Sequence, residues 1–432
     1  MGPARTRRIS DINRQDIGSR TARRGEIVDG MSLISDPSRA ESSAEAGEAT
    51  EVISRGVRGR MAVWGAAHAV DDMYQGLVPA SVPYFVLERH YSYLAASGLT
   101  LAATLGSALP QPLVGLAVDR WRLPRLAAVG VAVAGTGLGL SGLAGPYALV
   151  WLCILISGFG VAMFHPAAGR SAREAAGDSA AAMSVFAAGG SVGFFLAPVL
   201  ATPALNAWGV GATALFIPPA WLIALVLLKK RAGTRPSHAA ASGGQDRWGP
   251  FAALTGIEVV RSAAFFGINT FIELYWIKHL HASRTMAGAA LACFLIGGVA
   301  GTLLGGRIAD RVGMVRTVQL GGALTIPMLL ALRFSPGAVA PLAFAVLTGL
   351  ALNIPFAVLV KLGQDYLPGR PGTAAGVTLG LGVSAGGLMA PVFGLIAEHR
   401  GPQGVLTALC AVPIAGIVLG FLLREPQKTD GS

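Results

Sequence analysis

The residues best able to do chemistry lie in three short stretches of otherwise apolar sequence. In the first, His68, Asp72 and Gln75 recur at i, i+4 and i+7, so a helix would carry all three on one face with Asp71 rotated one residue aside. In the second, His165 precedes Pro166, and in the third Glu258, Arg261 and Asn269 stand at i, i+3 and i+11 with Glu273 one turn further. An ionised carboxylate near the centre of a bilayer costs roughly 2.5–3.5 kcal/mol on insertion scales, so such groups should face a polar cavity. A carboxylate in that setting can take up and return a proton. Arg261 cannot be neutralised, and it needs an anion from Glu258, from an acid of the first stretch or from a bound solute. Each stretch also has a plainer role: hydrated groups at an interface, a hydrogen-bonded structural histidine, and a structural Arg261–Glu258 pair.

The elements that must position these residues are apolar and long. Of 432 residues, 53% are hydrophobic and 13% charged, with 58 Gly and 25 Pro, and the mean hydropathy is +0.58. A soluble chain carries about 25% charged residues, so the bilayer is the expected solvent. Twelve apolar spans follow one another, at 61–87, 93–118, 125–144, 147–169, 179–205, 210–228, 249–277, 285–306, 317–334, 338–362, 373–397 and 404–423. No alternating polar pattern runs through them, which excludes a transmembrane barrel. The expected fold is an all-α membrane protein of twelve transmembrane helices in two six-helix repeats.

The formal charge of +11 is explained by topology. Of the 34 Lys and Arg, only Arg261 falls deep inside a span. With the first span entering from the cytoplasm, twenty from residue 55 onward flank one side and only Arg89, Lys278, Arg284, Arg333 and Arg400 the other. That bias places both termini in the cytoplasm of an inner-membrane, multi-pass protein. No aromatics interleave with the remaining basic residues, so nucleic acid is not an expected partner. Residues 1–60 read as a disordered cytoplasmic tail, in which Met31 and Met61 leave the translation start open. Bundles are expected over 61–230 and 249–423, joined by a cytoplasmic linker at 231–248, with a second tail at 424–432. Cys153, Cys293 and Cys410 show no metal-ligand spacing and read as small core residues. The chain has no zinc-protease pattern, phosphate-binding loop or nucleophile elbow, so no enzyme, ATP-driven pump, cofactor or metal is expected.

The two halves repeat one another. Gly115, Asp119, Arg120 and Arg125 recur as Gly306, Asp310, Arg311 and Arg316, each 191 residues on. Gly189, Gly193, Ala197 and Pro198 recur as Gly382, Gly386, Ala390 and Pro391, each 193 residues on. An internal duplication is the economical explanation. The doubled Gly-x-x-x-Asp-Arg loop, with its downstream Arg, resembles the signature of the major facilitator superfamily of secondary transporters. Within that superfamily, the run from His68 through Asp71, Asp72, Gln75 and Gly76 to Pro79 is similar to the first helix of the fosmidomycin-resistance-type exporters. The run Ser157, Gly158, Gly160, Ala162, Phe164, His165, Pro166 is similar to their fourth helix.

The resemblance implies two bundles rocking about a central site on helices 1, 4, 7 and 10. Asp72 matches the family's first-helix acid and is the preferred proton carrier, with His68 beside it, while Asp71 is an addition to the family pattern. The site would be lined by Gln75, His165, Glu258, Arg261, Asn269, Glu273, Asn353 and Pro355. The doubled loop residues would form a conformational latch, and the glycines and prolines of spans 5 and 11 would pack helices. The expected function is proton-coupled export of a small organic or drug-like compound, an anion among the candidates, by a monomer in the lipid bilayer. Proton-coupled uptake of an organic acid or nutrient, and a transporter-like sensor that moves no solute, are the alternatives. Reporters fused after Lys230 and after Arg284 are expected on opposite sides of the membrane; finding both on one side would overturn the twelve-span topology.

Overall fold

The computed structural model describes residues 37–121, 123, 125–176, 180–229, 245–370, 373–374, 377–378 and 382–425, excluding the side chains of 37–55, 119, 180–184 and 382–383. The chain divides into two units, Met1–Ile53 and Ser54–Ser432, and the second carries every candidate residue above. In chain order, the helices ahead of the linker are α1 (Pro37–Glu88), α2 (Tyr93–Ala108), α3 (Gln111–Trp121), α4 (Leu126–Ser141), α5 (Tyr147–Ala176), α6 (Ala180–Trp208), a 3₁₀ segment (Gly209–Phe216) and α7 (Ile217–Lys229). The second half holds α8 (Trp248–Lys278), α9 (Arg284–Val312), α10 (Met314–Phe334), α11 (Ala340–Asn353), α12 (Phe356–Tyr366), α13 (Gly382–Leu388), α14 (Ala390–Leu409) and α15 (Val412–Gly420). Among the described residues there is no strand. The helix that carries the first span starts at Pro37, ahead of the boundary read at residue 60, while residues 1–36 and most of the linker lie outside the described residues.

Among the described residues, eight stretches are long and apolar enough to cross a membrane. Two of them are too long for one crossing. Val185–Lys229 has 45 residues and Ser384–Gly420 has 37, which at about 1.5 Å per residue greatly exceeds the roughly 30 Å of hydrocarbon. Each is broken by a glycine in the left-handed region: Gly209 at φ 63°, which opens the 3₁₀ turn, and Gly401 at φ 69°, followed by Pro402. The breaks separate spans 5 from 6 and 11 from 12. α1 falls below the hydropathy of the eight because His68, Asp71, Asp72 and Gln75 interrupt it, which is the mark of a helix that serves a cavity. α7 and α15 turn Trp221, Leu222, Leu225, Ile414 and Val418 outward, a surface that suits lipid and not water.

The duplication seen in sequence recurs in packing, contact by contact. A Cβ on Gly106 would meet the carbonyl of Leu155, and one on Gly297, 191 residues later, would meet that of Val346. Gly158 sits on the carbonyl of Ala103, and Gly349 on that of Phe294, again 191 residues on. Gly193 lies against Ala69, and Gly386 against Ser262, both shifted by 193. These contacts clamp α2 to α5 and α1 to α6 in the first half, and their counterparts in the second. The turns match too: His90 (φ 56°) and His281 (φ 53°) adopt the left-handed region, and Ser92 and Ser283 cap the following helices by accepting from Ala95 N and Met286 N at 3.1 and 3.2 Å. Between the halves, α2 packs on α13 and α14, and α6 on α9.

Gly158→Leu and Gly349→Leu should each lower the melting temperature of the purified protein markedly, since overpacking typically costs about 1–3 kcal/mol. Gly306→Leu, with nothing near a Cβ there, should melt like the parent. Equal melting of all three would refute close packing as the role of the paired glycines.

Candidate functional site

α1 and α5 bring the first two polar stretches together. Asp72 is the hub: His68 Nε2 is 3.3 Å from its Oδ2, His165 Nε2 is 3.1 Å from its Oδ1, and Gln75 Nε2 donates to Oδ1 at 2.8 Å. The two histidine Nε2 atoms are 3.3 Å apart. His68 and Asp72 are buried, whereas the His165 side chain keeps 27% exposure and so opens the cluster to one side. Gly190, on α6, lies against Asp72 and His68, and a Cβ there would intrude on both. Asp71 is fully buried, with one oxygen 3.4 Å from His165 Nδ1, yet its carboxylate accepts no hydrogen bond from the described residues.

Counting donors shows what this cluster requires. His68 Nδ1 is 2.8 Å from the Phe186 carbonyl and His165 Nδ1 is 3.1 Å from that of Val161, and a carbonyl only accepts, so each Nδ1 carries a hydrogen. In neutral rings both Nε2 atoms are then lone pairs. Two lone pairs and a carboxylate would converge with Gln75 as the one donor, an arrangement that calls for an added cation between them.

The third stretch does not join this cluster. Arg261 makes a bidentate bond to Glu258, at 2.9 and 2.6 Å, and its Nη1 donates to Asn353 Oδ1 at 3.3 Å. Its guanidinium also lies 4.7 Å from the centre of the Phe356 ring. All three polar groups are buried. Of the anions open to Arg261, the structure shows Glu258. Pro355, the other tenth-helix residue, lines a small cavity with Arg261. Asn269 and Glu273 continue along α8 as buried groups, and among the described residues Asn269 Oδ1 and both oxygens of Glu273 have no hydrogen-bond partner. His68 and Arg261 stand 193 residues apart, and His165 and Phe356 stand 191 apart, so the two clusters occupy matching places in the two halves.

Of the loop residues, Gly115 faces Pro166 of α5, while Arg120, Arg125, Asp310, Arg311 and Arg316 are exposed. The side chain of Asp119 and the surroundings of Gly382 lie outside what is described. Asp310 makes no ion pair among the described residues. Glu425 instead caps the helix after the second loop, its Oε1 accepting from Val315 N at 2.8 Å.

The halves meet at the other end. Between described residues, the bonds that cross from one half to the other are Arg284–Glu88 at 2.9 Å, Asn206 Nδ2 to Thr285 Oγ1 at 3.2 Å, Leu94 N to Glu398 Oε1 at 2.9 Å, and Thr100–Thr270 at 3.3 Å. Glu88 also accepts from Val210 N at 3.0 Å, and Arg284 lies over the Tyr84 ring. Glycine contacts extend the seam toward the middle: Gly288 on Thr202, Gly394 on Ser97 and Gly387 on Thr104. The sequence offers no sign of this seam, because Glu88, Arg284 and Glu398 sit at or near the ends of apolar spans, where they read as ordinary interfacial charge.

Two helical bundles with matched internal contacts, each enclosing a buried polar cluster, define a solute transporter and not an enzyme. The comparisons agree: the model of the Major Facilitator Superfamily matches residues 65–264 and again 254–432, and the chain belongs to that superfamily. It is similar to the fosmidomycin resistance protein of Escherichia coli (strain K12), with 29% identity over 380 residues, 84% of this chain and 92% of that one. An uncharacterized MFS-type transporter of Bacillus subtilis (strain 168), YfnC, is 32% identical over 386 residues with the same coverage of both chains. Among solved structures, the nucleoside transporter NupG superposes with a TM-score of 0.68 at 13% identity, covering 84% of this chain and 98% of NupG. A D-xylose–proton symporter gives 0.67 at 14% identity, covering 86% and 98%. These two likenesses speak to the fold alone.

The Glu88–Arg284 pair is partly exposed, so its loss should weaken the seam by at most about 1 kcal/mol, an up to fivefold rise in the fraction open at that end. A cysteine at Ser97, buried in the seam, introduced with Cys153, Cys293 and Cys410 replaced, should react faster with an impermeant maleimide when Arg284→Gln is added. Unchanged labelling would exclude the pair from holding the seam.

Proposed function

We propose that this transporter exports a small organic or drug-like compound in exchange for protons, with the Asp72 cluster as the coupling site. The observation that carries the reading is the convergence of Asp72, His68 and His165, whose lone pairs call for a cation that a proton can supply. The open edge at His165 gives that proton a route to water, and Asp71 adds a second carboxylate beside the same ring. The name of the Escherichia coli relative supports efflux as the direction.

In this reading the end carrying Gly115–Arg125 and Gly306–Arg316 faces the cytoplasm, as do both termini, and the seam at Glu88 and Arg284 is the outer gate. The doubled loops act as the latch that forms when the outer gate opens, with Asp119 and Asp310 as its acids. The solute binds between the clusters, against Gln75, His165 and the buried face of α8 that carries Asn269 and Glu273, with Asn353 at the far wall. Arg261 is already neutralised by Glu258, so an anionic solute binds there only by displacing Glu258 or Asn353. The protein works as a monomer, since each chain holds both halves.

Asp72→Asn should abolish solute accumulation driven by a pH gradient in proteoliposomes, because the variant cannot cycle a proton. Solute-for-solute exchange, which needs no net proton movement, should persist. Gradient-driven transport at the parent rate would place coupling elsewhere, with Asp71, Glu258 and Glu273 the next carboxylates to examine.

A further inference from the structure

We propose that His68, Asp72 and His165 form a binding site for one divalent transition-metal ion of the zinc or cobalt kind. The inference builds on the coupling site proposed above, because the ion would occupy the same lone pairs as the protons. The ligand atoms of the three residues all lie within 4.8 Å of one another. His165 Nε2 is 3.1 Å from Asp72 Oδ1, His68 Nε2 is 3.3 Å from Asp72 Oδ2, and the two Nε2 atoms are 3.3 Å apart. Ligands at 2.0–2.1 Å from a tetrahedral metal are about 3.3–3.4 Å apart along each edge. Each of these separations is near such an edge, and because the two histidines reach different oxygens of Asp72, the carboxylate would hold the ion by turning one oxygen toward both nitrogens or by binding through both oxygens.

The surroundings of the ligands point the same way. A metal-binding histidine typically donates its second N–H to a carbonyl or carboxylate, which fixes the tautomer and aims the other nitrogen. Both histidines do so here, through Phe186 O and Val161 O. Asp72 is itself held by the Gln75 amide, as ligating carboxylates commonly are. Gly190 leaves clear the face of the cluster that a side chain would fill. Two imidazoles and one carboxylate make a three-ligand site with open positions, and the part-exposed edge at His165 is where water or a solute donor would complete it. All three ligands come from α1 and α5 of one half, so the site persists while the halves move against one another.

Nothing in the local sequence pattern could have announced this. His68 and Asp72 supply an i, i+4 pair, and the third ligand lies 97 residues beyond the first.

The test uses the full-length protein in detergent, stripped of metal and titrated with Co²⁺. One ion per chain should bind, giving the intense visible absorption of four- or five-coordinate cobalt, and Zn²⁺ should displace it. His68→Gln and His165→Asn should each weaken binding at least tenfold, while His279→Gln, outside the cluster, should bind like the parent. His165 is part-exposed, so its variant is expected to melt at the parent temperature, which keeps the test valid if His68→Gln fails to fold. No bound cobalt, a weak octahedral spectrum, or parent affinity in His165→Asn would overturn the metal site. The coupling reading fails separately: if cobalt binds as expected but Asp72→Asn still transports on a pH gradient, protons are carried elsewhere and the metal site stands.

Discussion

Helices in lipid gain nothing from hiding apolar surface from one another, because the tails around them are equally apolar. What holds this molecule together is the close approach of backbones where a side chain has been omitted. Gly106 and Gly158 lock α2 to α5, Gly189 and Gly193 lock α6 to α1, and Gly297, Gly349 and Gly386 repeat the arrangement in the second half. The polar chemistry depends on these contacts. α6 comes near enough to α1 for Gly190 to lie against the Asp72–His68 pair and for Phe186 to offer its carbonyl to His68.

The duplicated scaffold has been filled differently in its two copies. Where the first half has His68 and His165, the second has Arg261 and Phe356 at the corresponding places. A histidine pair can change its charge with its surroundings, whereas an arginine stacked on an aromatic ring and clamped by Glu258 cannot. The ancestral symmetry therefore survives in the packing and has been abandoned in the chemistry.

Much of this was legible in the sequence, for physical reasons that differ by residue. The spans and the repeat show because the bilayer demands long apolar runs and because small residues keep their spacing through duplication. The Arg261–Glu258 pair shows because it is local, one turn of one helix. The partner of Gly193 does not show, since a glycine reveals that something approaches closely but not what; Ala69 appears only in the fold. His165 could be singled out, yet its contact with Asp72 depends on how two helices far apart in sequence cross. The seam at Glu88, Arg284 and Glu398 was invisible because charges at helix ends are common whether or not they meet. Glu425 lies past the last span, where nothing in the sequence marks it as the cap of a distant helix.

The placement of the polar clusters also bears on how such a chain can change over evolutionary time. Asp72, His68 and His165 all belong to one bundle, and Glu258, Arg261 and Asn353 all belong to the other. Among the described residues, neither cluster borrows a residue from across the divide. A mutation that reshapes one cluster therefore leaves the hydrogen bonds of the other intact, so the two halves of the duplicated scaffold are free to diverge at different paces, each keeping its own internal wiring.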